Sequence, residues 1–364
     1  MQLELEQISK KVGRVFHIAD VSLSFTAGTL NILLGPTLSG KTTLMRLMAG
    51  LDQPTAGRVL VNGRDVTGVP VQKRNVAMVY QQFINYPNLT VYENIASPLR
   101  IARQPQGEID RKVREIAALL KLGDMLGRTP QELSGGQQQR TALARALAKG
   151  AELVLLDEPL ANLDYKLREE LREELPRIFS ATGAIFVYAT TEPSEALLLG
   201  GNTATLHQGR VTQFGPTLDV FRKPADILTA QTFSDPPMNL MPVTKLSHAL
   251  LFKNHVEIPL SGRMSGMPDA DYWVGFRPNH LYLQRRTAEA ISVQARVVVT
   301  EITGSESYIH VDVAGQRWVA LAHGIHNLDI DTTIEVFLDP GSFYVFDEKQ
   351  QLVATPDFLP ARQG

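Results

Sequence analysis

Apolar and polar positions alternate through residues 1–27, with Leu3 and Leu5 in phase and later Val21, Leu23 and Phe25. A period of two predicts antiparallel strands, here with a turn near Gly13. Leu30 to Leu34 is an apolar, strand-like run, and Thr43 to Ala49 repeats with a helical period. Val59 to Val61 and Val76 to Tyr80 read as further short strands. From Tyr92 to about Lys149 the period becomes helical, with Val113, Ile116, Leu119 and Leu120 spaced to share one face. Leu153 to Leu156 and Ala184 to Ala189 are continuous apolar runs, the length of strands buried on both faces. Tyr165 to Ser180 reads as a highly charged helix and Pro193 to Leu199 as a short one. The charged run Arg168 to Glu174 is expected to be a solvated helix face. Strands alternating with helices predict an α/β core around a mostly parallel sheet.

The pattern changes after Phe233. Pro236-Pro237 marks a linker, so the domain boundary is expected at about residue 236. Beyond it helical periodicity nearly vanishes. Trp273 to Phe276, Ala295 to Ile302, Tyr308 to Val313, Trp318 to Leu321 and Ile334 to Leu338 read as short strands between turns. Such spacing predicts a small all-β barrel or sandwich. A length of 364 residues agrees with two domains. A formal charge of -2 offers no electrostatic reason to expect nucleic acid as a partner. With no cysteine, disulfides, thiolate metal sites and cysteine nucleophiles are excluded. No apolar run approaches the roughly 18 residues that span a bilayer. The chain is therefore expected to be soluble and to reach any membrane through a partner.

Candidate chemistry begins where the first apolar strand ends. Gly35-Pro36-Thr37-Leu38-Ser39-Gly40-Lys41-Thr42 matches G-x-x-x-x-G-K-[ST], and Thr43 opens the helix that follows. Strand, loop and helix N-terminus aim backbone N–H groups at a phosphate. Lys41 is the expected contact to the outer phosphates, and the Thr42 hydroxyl is an expected ligand of Mg²⁺. Val154 to Leu156 runs into Asp157 and Glu158. Asp157 suits a hold on Mg²⁺, and Glu158 suits a general base acting on the attacking water. Leu133-Ser134-Gly135-Gly136-Gln137 precedes a helical run, making either a second anion-ready N-terminus or a plain helix cap. The histidines show no metal-ligand spacing, so Mg²⁺ is the only metal expected.

The ordered set of these motifs resembles the ATP-binding cassette (ABC) ATPases over residues 1–235. The set is completed by Gln81 and by Asp164 within Leu160-Ala161-Asn162-Leu163-Asp164. The resemblance implies a cassette with an antiparallel β subdomain and a helical subdomain at about 85–150. It further implies ATP and Mg²⁺ as cofactors, with Thr42, Gln81 and Asp157 around the metal. ATP would lie between the phosphate loop of one subunit and Ser134, Gly135, Gly136 and Gln137 of another. Asp164 would communicate across that dimer, and Phe83 to Val91, with Phe83, Tyr86 and Leu89, would shape a groove for a membrane subunit. Residues 236–364 resemble the OB-fold-like accessory domain of sugar and glycerol-phosphate importer ATPases. That resemblance rests on Phe233 to Asn239, Gly275 to His280 and Thr303 to Glu306. It implies integral permease subunits, a solute-binding protein acting indirectly, and a place on the cytoplasmic face of a bacterial inner membrane.

The chain departs from the family's pattern at three positions. Val12 stands where an aromatic residue stacks on adenine, unless Phe16 takes over that role. Thr191, in Tyr188-Ala189-Thr190-Thr191-Glu192-Pro193, stands where a histidine positions the γ-phosphate and water. Leu38 replaces a glycine of the loop, which is expected to tighten the turn. One reading is a slower but working ATPase. Another is a cassette whose own site is degenerate, paired with a competent second cassette, as in bacterial glycerol importers; a homodimer stays open. A regulatory module that binds ATP without turnover, or an ABC ATPase outside transport, are the alternatives.

Overall fold

The computed structural model describes residues 1–82, 84–161, 165–252 and 256–357. Phe83 and Asp164, both expected above to act between subunits, lie outside the described residues, as do Asn162 and Leu163. The chain divides into two compact units, Met1–Thr217 and Leu218–Gly364.

The first unit opens with a hairpin, β1 (Gln2–Val12) and β2 (Val15–Thr26), closed where Val12 pairs with Val15. β3 (Leu30–Leu34) leads through the phosphate loop into α1 (Lys41–Ala49). β4 (Ala56–Val61) and β5 (Arg64–Asp65) join the hairpin in an antiparallel sheet of order β2-β1-β4-β5. After β6 (Val76–Val79) come α2 (Val91–Ile101), α3 (Gln106–Leu119) and α4 (Gly135–Ala148), the expected helical region. Then follow β7 (Leu153–Asp157), α5 (Tyr165–Thr182), β8 (Ile185–Thr190) and α6 (Pro193–Leu199). β9 (Asn202–His207) and β10 (Arg210–Pro216) complete the unit.

The central sheet runs β10-β9-β3-β8-β7-β6, with β3, β6, β7, β8 and β9 parallel and β10 antiparallel. Every residue of β7 and β8 is buried, which is why both read as unbroken apolar runs. α1 seals one face by packing Leu44, Met45, Leu47 and Met48 into the core with Leu33, Leu155 and Val187. β9 and β10 carried no strand signal because β9 buries threonines. The Thr203 and Thr205 hydroxyls are satisfied by Thr217 at 2.9 Å and Thr212 at 2.7 Å.

α7 (Thr217–Arg222) starts on the last residue of the first unit, and the second unit continues with α8 (Ile227–Thr232). β11 (Asn239–Lys245), β12 (Ala249–Phe252), β13 (Val256–Pro259) and β14 (Asp271–Phe276) follow. The chain continues as β15 (Leu281–Tyr282), β16 (Ile291–Ile302), β17 (Glu306–Val313) and β18 (Gln316–His323). β19 (Thr333–Leu338), β20 (Tyr344–Phe346) and β21 (Leu352–Ala354) end it. Two antiparallel sheets, β13-β12-β11-β14-β20-β21 and β15-β19-β16-β17-β18, enclose one core. Trp318 lies edge-on to Phe276 at 5.0 Å and beside Phe252 at 5.7 Å.

The division falls at residue 217 rather than at the expected 236, because α7 and α8 pack with the β domain. Ile227 and Ala230 cluster with Met238, Tyr344 and Phe346. Arg277, 8% exposed, donates to the carbonyls of Phe233 (3.0 Å) and Phe221 (2.9 Å), its guanidinium 3.8 Å over the Phe221 ring. The diproline therefore marks a turn inside the second unit. Arg277→Met leaves both carbonyls unpaired, at about 1–3 kcal/mol each. Denaturant unfolding should show that loss, and an unchanged midpoint would contradict the role given to Arg277.

Candidate active site

The first unit's parallel strands end side by side, and their ends are tied together. The Gly35 N–H donates to the Thr190 carbonyl at 3.3 Å, and the Glu158 N–H to the Ala189 carbonyl at 3.0 Å. Gly40 caps α1 with φ +105°, and a Cβ there would lie 2.8 Å from Ile18 and 2.9 Å from the His17 carbonyl. Only glycine suits that position. Leu38 adopts φ +67° with its side chain 96% exposed. The loop thus keeps a glycine-like backbone, at about 1–2 kcal/mol of strain, and Leu38 projects outward instead of tightening the turn.

Lys41 is the first residue of α1 and 5% exposed. Its Nζ donates to the carbonyls of Gly35 (2.7 Å) and Pro36 (3.1 Å) and lies 3.8 Å from Glu158. Burial lowers its pKa, against the opposing pull of Glu158 and Asp157. Glu158 accepts from Gln81 Nε2 at 2.9 Å and sits at φ +47°, a left-handed conformation a glutamate rarely adopts. Burial raises its carboxyl above the ordinary range; Lys41 opposes this, while Asp157, Glu195 and Glu192 add to it. A raised pKa makes a carboxylate a better proton acceptor. Asp157 is also raised by burial, countered by a hydrogen bond from Thr42 and by Lys41.

A cleft of 660 Å³ opens here, lined by Phe16, Thr37, Lys41, Thr43, Gln81 and Glu158 among others. It fits a nucleotide phosphate on two observations. The buried Ser39 Oγ has no hydrogen bond among the described residues. The buried Lys41 ammonium is held by loop carbonyls, as a cation awaiting anionic oxygens would be. Among the described residues no three acidic or histidine side chains gather as a metal cage, so a cation here would rely on Thr42, Asp157 and phosphate oxygens.

The structure thus gathers the phosphate loop, Gln81, Asp157 and Glu158. It places the other candidates elsewhere. Val12 is exposed at the hairpin end and does not line the cleft, whereas Phe16 does, 51% exposed, with Lys11 Nζ 4.8 Å over its ring. Thr191 is exposed just beyond β8. Ser134 caps α4: its hydroxyl accepts from the Gln137 N–H at 3.4 Å, and Gln137 Oε1 accepts from the Ser134 N–H at 3.0 Å. None of Ser134, Gly135, Gly136 or Gln137 lines the cleft. His17, Gln208 and Gly209 do line it without having been singled out; Gly209 closes on His17, where a Cβ would meet its carbonyl at 2.5 Å. A second cavity, 560 Å³, is lined by Tyr80, Ile84, Tyr86, Pro98, Ile101 and Arg145 among others, with Arg145 4.8 Å over the Tyr86 ring. Leu89 is half-buried.

Within the run 168–174, expected to be a solvated face, Arg172 is turned inward while Glu173 is exposed. Arg172 is 11% exposed, because Glu169, Glu192 and Glu195 surround its guanidinium at 2.7, 2.8 and 3.3 Å. Burial disfavours its charge, but the carboxylates outweigh that and raise its pKa.

The ABC transporter family profile matches residues 18–161, and a TOBE domain profile matches residues 274–346. The trehalose/maltose import ATP-binding protein MalK of Thermococcus litoralis is 34% identical over 363 residues, covering 95% of this chain and 97% of its own. The chain belongs to the ABC transporter ATPases. Its relatives include the sn-glycerol-3-phosphate import ATP-binding protein UgpC of Rhizobium meliloti, 34% identical over 346 residues and covering 93% and 97%. UgpC of Brucella abortus strain 2308 is 32% identical over 351 residues, covering 95% and 97%. The dimeric post-hydrolysis structure of the ATP-binding cassette MJ0796 with ADP and Pi superposes at TM-score 0.54 and 28% identity. It spans 59% of this chain and 98% of the cassette.

This ABC ATPase therefore binds ATP and hydrolyses it in support of import. No described helix is long and apolar enough to cross a membrane. Lys41→Met removes a charged donor worth about 1.5–3 kcal/mol, so ATP affinity should fall roughly 10- to 100-fold. Fluorescent-nucleotide titration measures this, and an unchanged Kd would contradict the role of Lys41.

Proposed function

We propose that this chain is the energy-coupling subunit of an importer for a small polyol, glycerol first among them, or for a related sugar or polyol phosphate. The carrying observation is an asymmetry. Lys41, Gln81 and Glu158 are assembled in the cleft, while the position beside Glu192 holds exposed Thr191 in place of an imidazole. Ser134 to Gln137 begin α4 outside that cleft, open to another chain. A relative's cassette is described as dimeric, which supports a pair in which each chain offers Ser134 to Gln137 to the other's phosphate loop.

In this reading Thr42 and Asp157, with Gln81 beside them, would hold Mg²⁺, which would offset phosphate charge. Glu158 takes the proton of the attacking water. Lys41 and the amides of residues 37–43 hold the phosphates. The nucleobase stacks on Phe16, which displaces Val12 from that role and replaces Lys11 on the ring by the base. The cavity beside Tyr86 and Ile101 receives a permease segment, placing the chain on the cytoplasmic face of the membrane. Closure of the cassette pair on ATP then drives the permease between its two openings. The importer relatives support this over a purely regulatory module or an ABC ATPase outside transport.

Losing one preorganised donor costs about 2.7–4 kcal/mol, or 10²–10³ in rate. A second, non-identical cassette is therefore expected to carry the histidine and most of the turnover. Thr191→His should raise ATP turnover by this chain's own site, measured with and without the second cassette. If the purified transporter contains two copies of this chain and no other cassette, the heterodimer reading is wrong. Phe16→Ala should weaken ATP by about 1–3 kcal/mol while leaving inorganic phosphate release per bound ATP unchanged. Equal ATP affinity in that variant would contradict the stacking role.

A further inference from the structure

Beside the cleft lies a buried polar cluster whose only part so far is the charge that Glu195 and Glu192 add near Glu158. Glu195, on α6, is 4% exposed and carries hydrogen bonds on both carboxylate oxygens. Its Oε2 accepts from the Thr190 hydroxyl at 2.7 Å and the Tyr188 hydroxyl at 3.0 Å, and its Oε1 from Arg172 at 3.3 Å. Arg172 also holds Glu192 at 2.8 Å, and Arg168 holds Glu192 at 3.1 Å and reaches the Ala161 carbonyl at 3.4 Å. The Thr190 hydroxyl in turn accepts from the Glu192 N–H at 3.0 Å, so Thr191 is bracketed on both sides.

The other end of this cluster is the nucleotide site itself. The Thr190 carbonyl receives the first N–H of the phosphate loop, from Gly35, and the preceding carbonyl, of Ala189, receives that of Glu158. Ala161 follows Glu158 by a single turn, its N–H donating to the Glu158 carbonyl at 3.3 Å. One helix, α5, therefore grips both the segment after Glu158 and the segment after β8. Buried ion clusters contribute little net stability compared with apolar packing of the same volume. Their distinctive property is directionality: a carboxylate with several fixed partners admits only one placement of each.

We propose that Glu195, Arg172 and the Thr190 hydroxyl form a buried clasp that positions the phosphate-loop entry and Glu158 for hydrolysis. Glu195 is then a positioning residue, and Arg168 extends the clasp to Ala161. The clasp sets where residue 191 is presented, whichever side chain stands there. The inference rests on ATP hydrolysis at this site, but not on the solute or on the second cassette.

The test uses the full chain, alone for hydrogen exchange and in its transporter complex for turnover. Thr190→Val removes the hydroxyl and keeps the shape, Thr190→Ser restores it, and Glu195→Gln removes the charge. In the nucleotide-free chain, exchange of the Gly35 amide should rise about tenfold in Thr190→Val and Glu195→Gln, reporting the clasp without any turnover. In the complex, with the second cassette's catalytic glutamate changed to glutamine so that only this chain's site turns over, kcat should fall about 10- to 100-fold, the cost of a displacement near 1 Å, while KM for ATP changes little. Thr190→Ser should recover both readouts. Thermal unfolding confirms that each variant is folded; should Thr190→Val fail to fold, Arg172→Lys, which keeps the charge but not the two-way grip, takes its place. Wild-type exchange and kcat in the folded variants would overturn the clasp, as would a serine variant as impaired as the valine one. Raised exchange with unchanged kcat would also overturn it, leaving the cluster a local brace of β8.

Discussion

The site depends on the parallel strands of one sheet ending at a common level. β3, β7 and β8 are neighbours or one strand apart, and each delivers its chemistry at its C-terminal end: the phosphate loop, Asp157-Glu158 and Thr190-Thr191. Two backbone hydrogen bonds, Gly35 to Thr190 and Glu158 to Ala189, hold these ends in register. A parallel sheet requires this convergence, because every crossover returns the chain to the same edge. A slip of β8 by one residue would move the loop entry and Glu158 together.

That geometry explains why strain and unfavourable charge gather in so small a region. Leu38 and Glu158 hold left-handed backbone, and Lys41, Asp157 and Glu158 are all shifted by burial toward their neutral forms. Each feature would destabilise an isolated loop. Within the sheet they are tolerated because the surrounding core, with Leu33, Leu155, Val187 and Met48, leaves the strand ends little room to relax. The arrangement keeps a cation and two carboxylates poised within reach of one another, which a phosphate-cleaving site requires.

Much of this was legible in the sequence. The phosphate loop, the strand ending in Asp157-Glu158 and the Ser134 cap are local signals whose meaning survives without the fold. The buried strands β7 and β8 were legible because both faces are covered. β9 was not, since its buried positions are threonines whose hydroxyls find partners only after folding. The domain division was misplaced for a similar reason: Arg277 reaches Phe221 and Phe233 across more than forty residues, and no local pattern announces that. Arg172 looked like surface because helical charge runs usually are. Its burial follows from the three carboxylates that tertiary packing gathers around it. Phe16 lines the cleft and Val12 does not, a difference of side-chain placement near the hairpin turn that the alternating pattern alone does not encode.

The cleft in this chain is lined by the phosphate loop and Glu158 but by none of Ser134 to Gln137, which a second cassette is proposed to supply. The measurement that tests this most directly is ATP turnover per chain against total cassette concentration, for this chain alone and with the second cassette of its transporter. Turnover per chain should fall to background on dilution and climb to a plateau as the other cassette is added. Turnover that stays constant under dilution, with no second chain present, would show that one chain is a complete catalyst and would contradict the account.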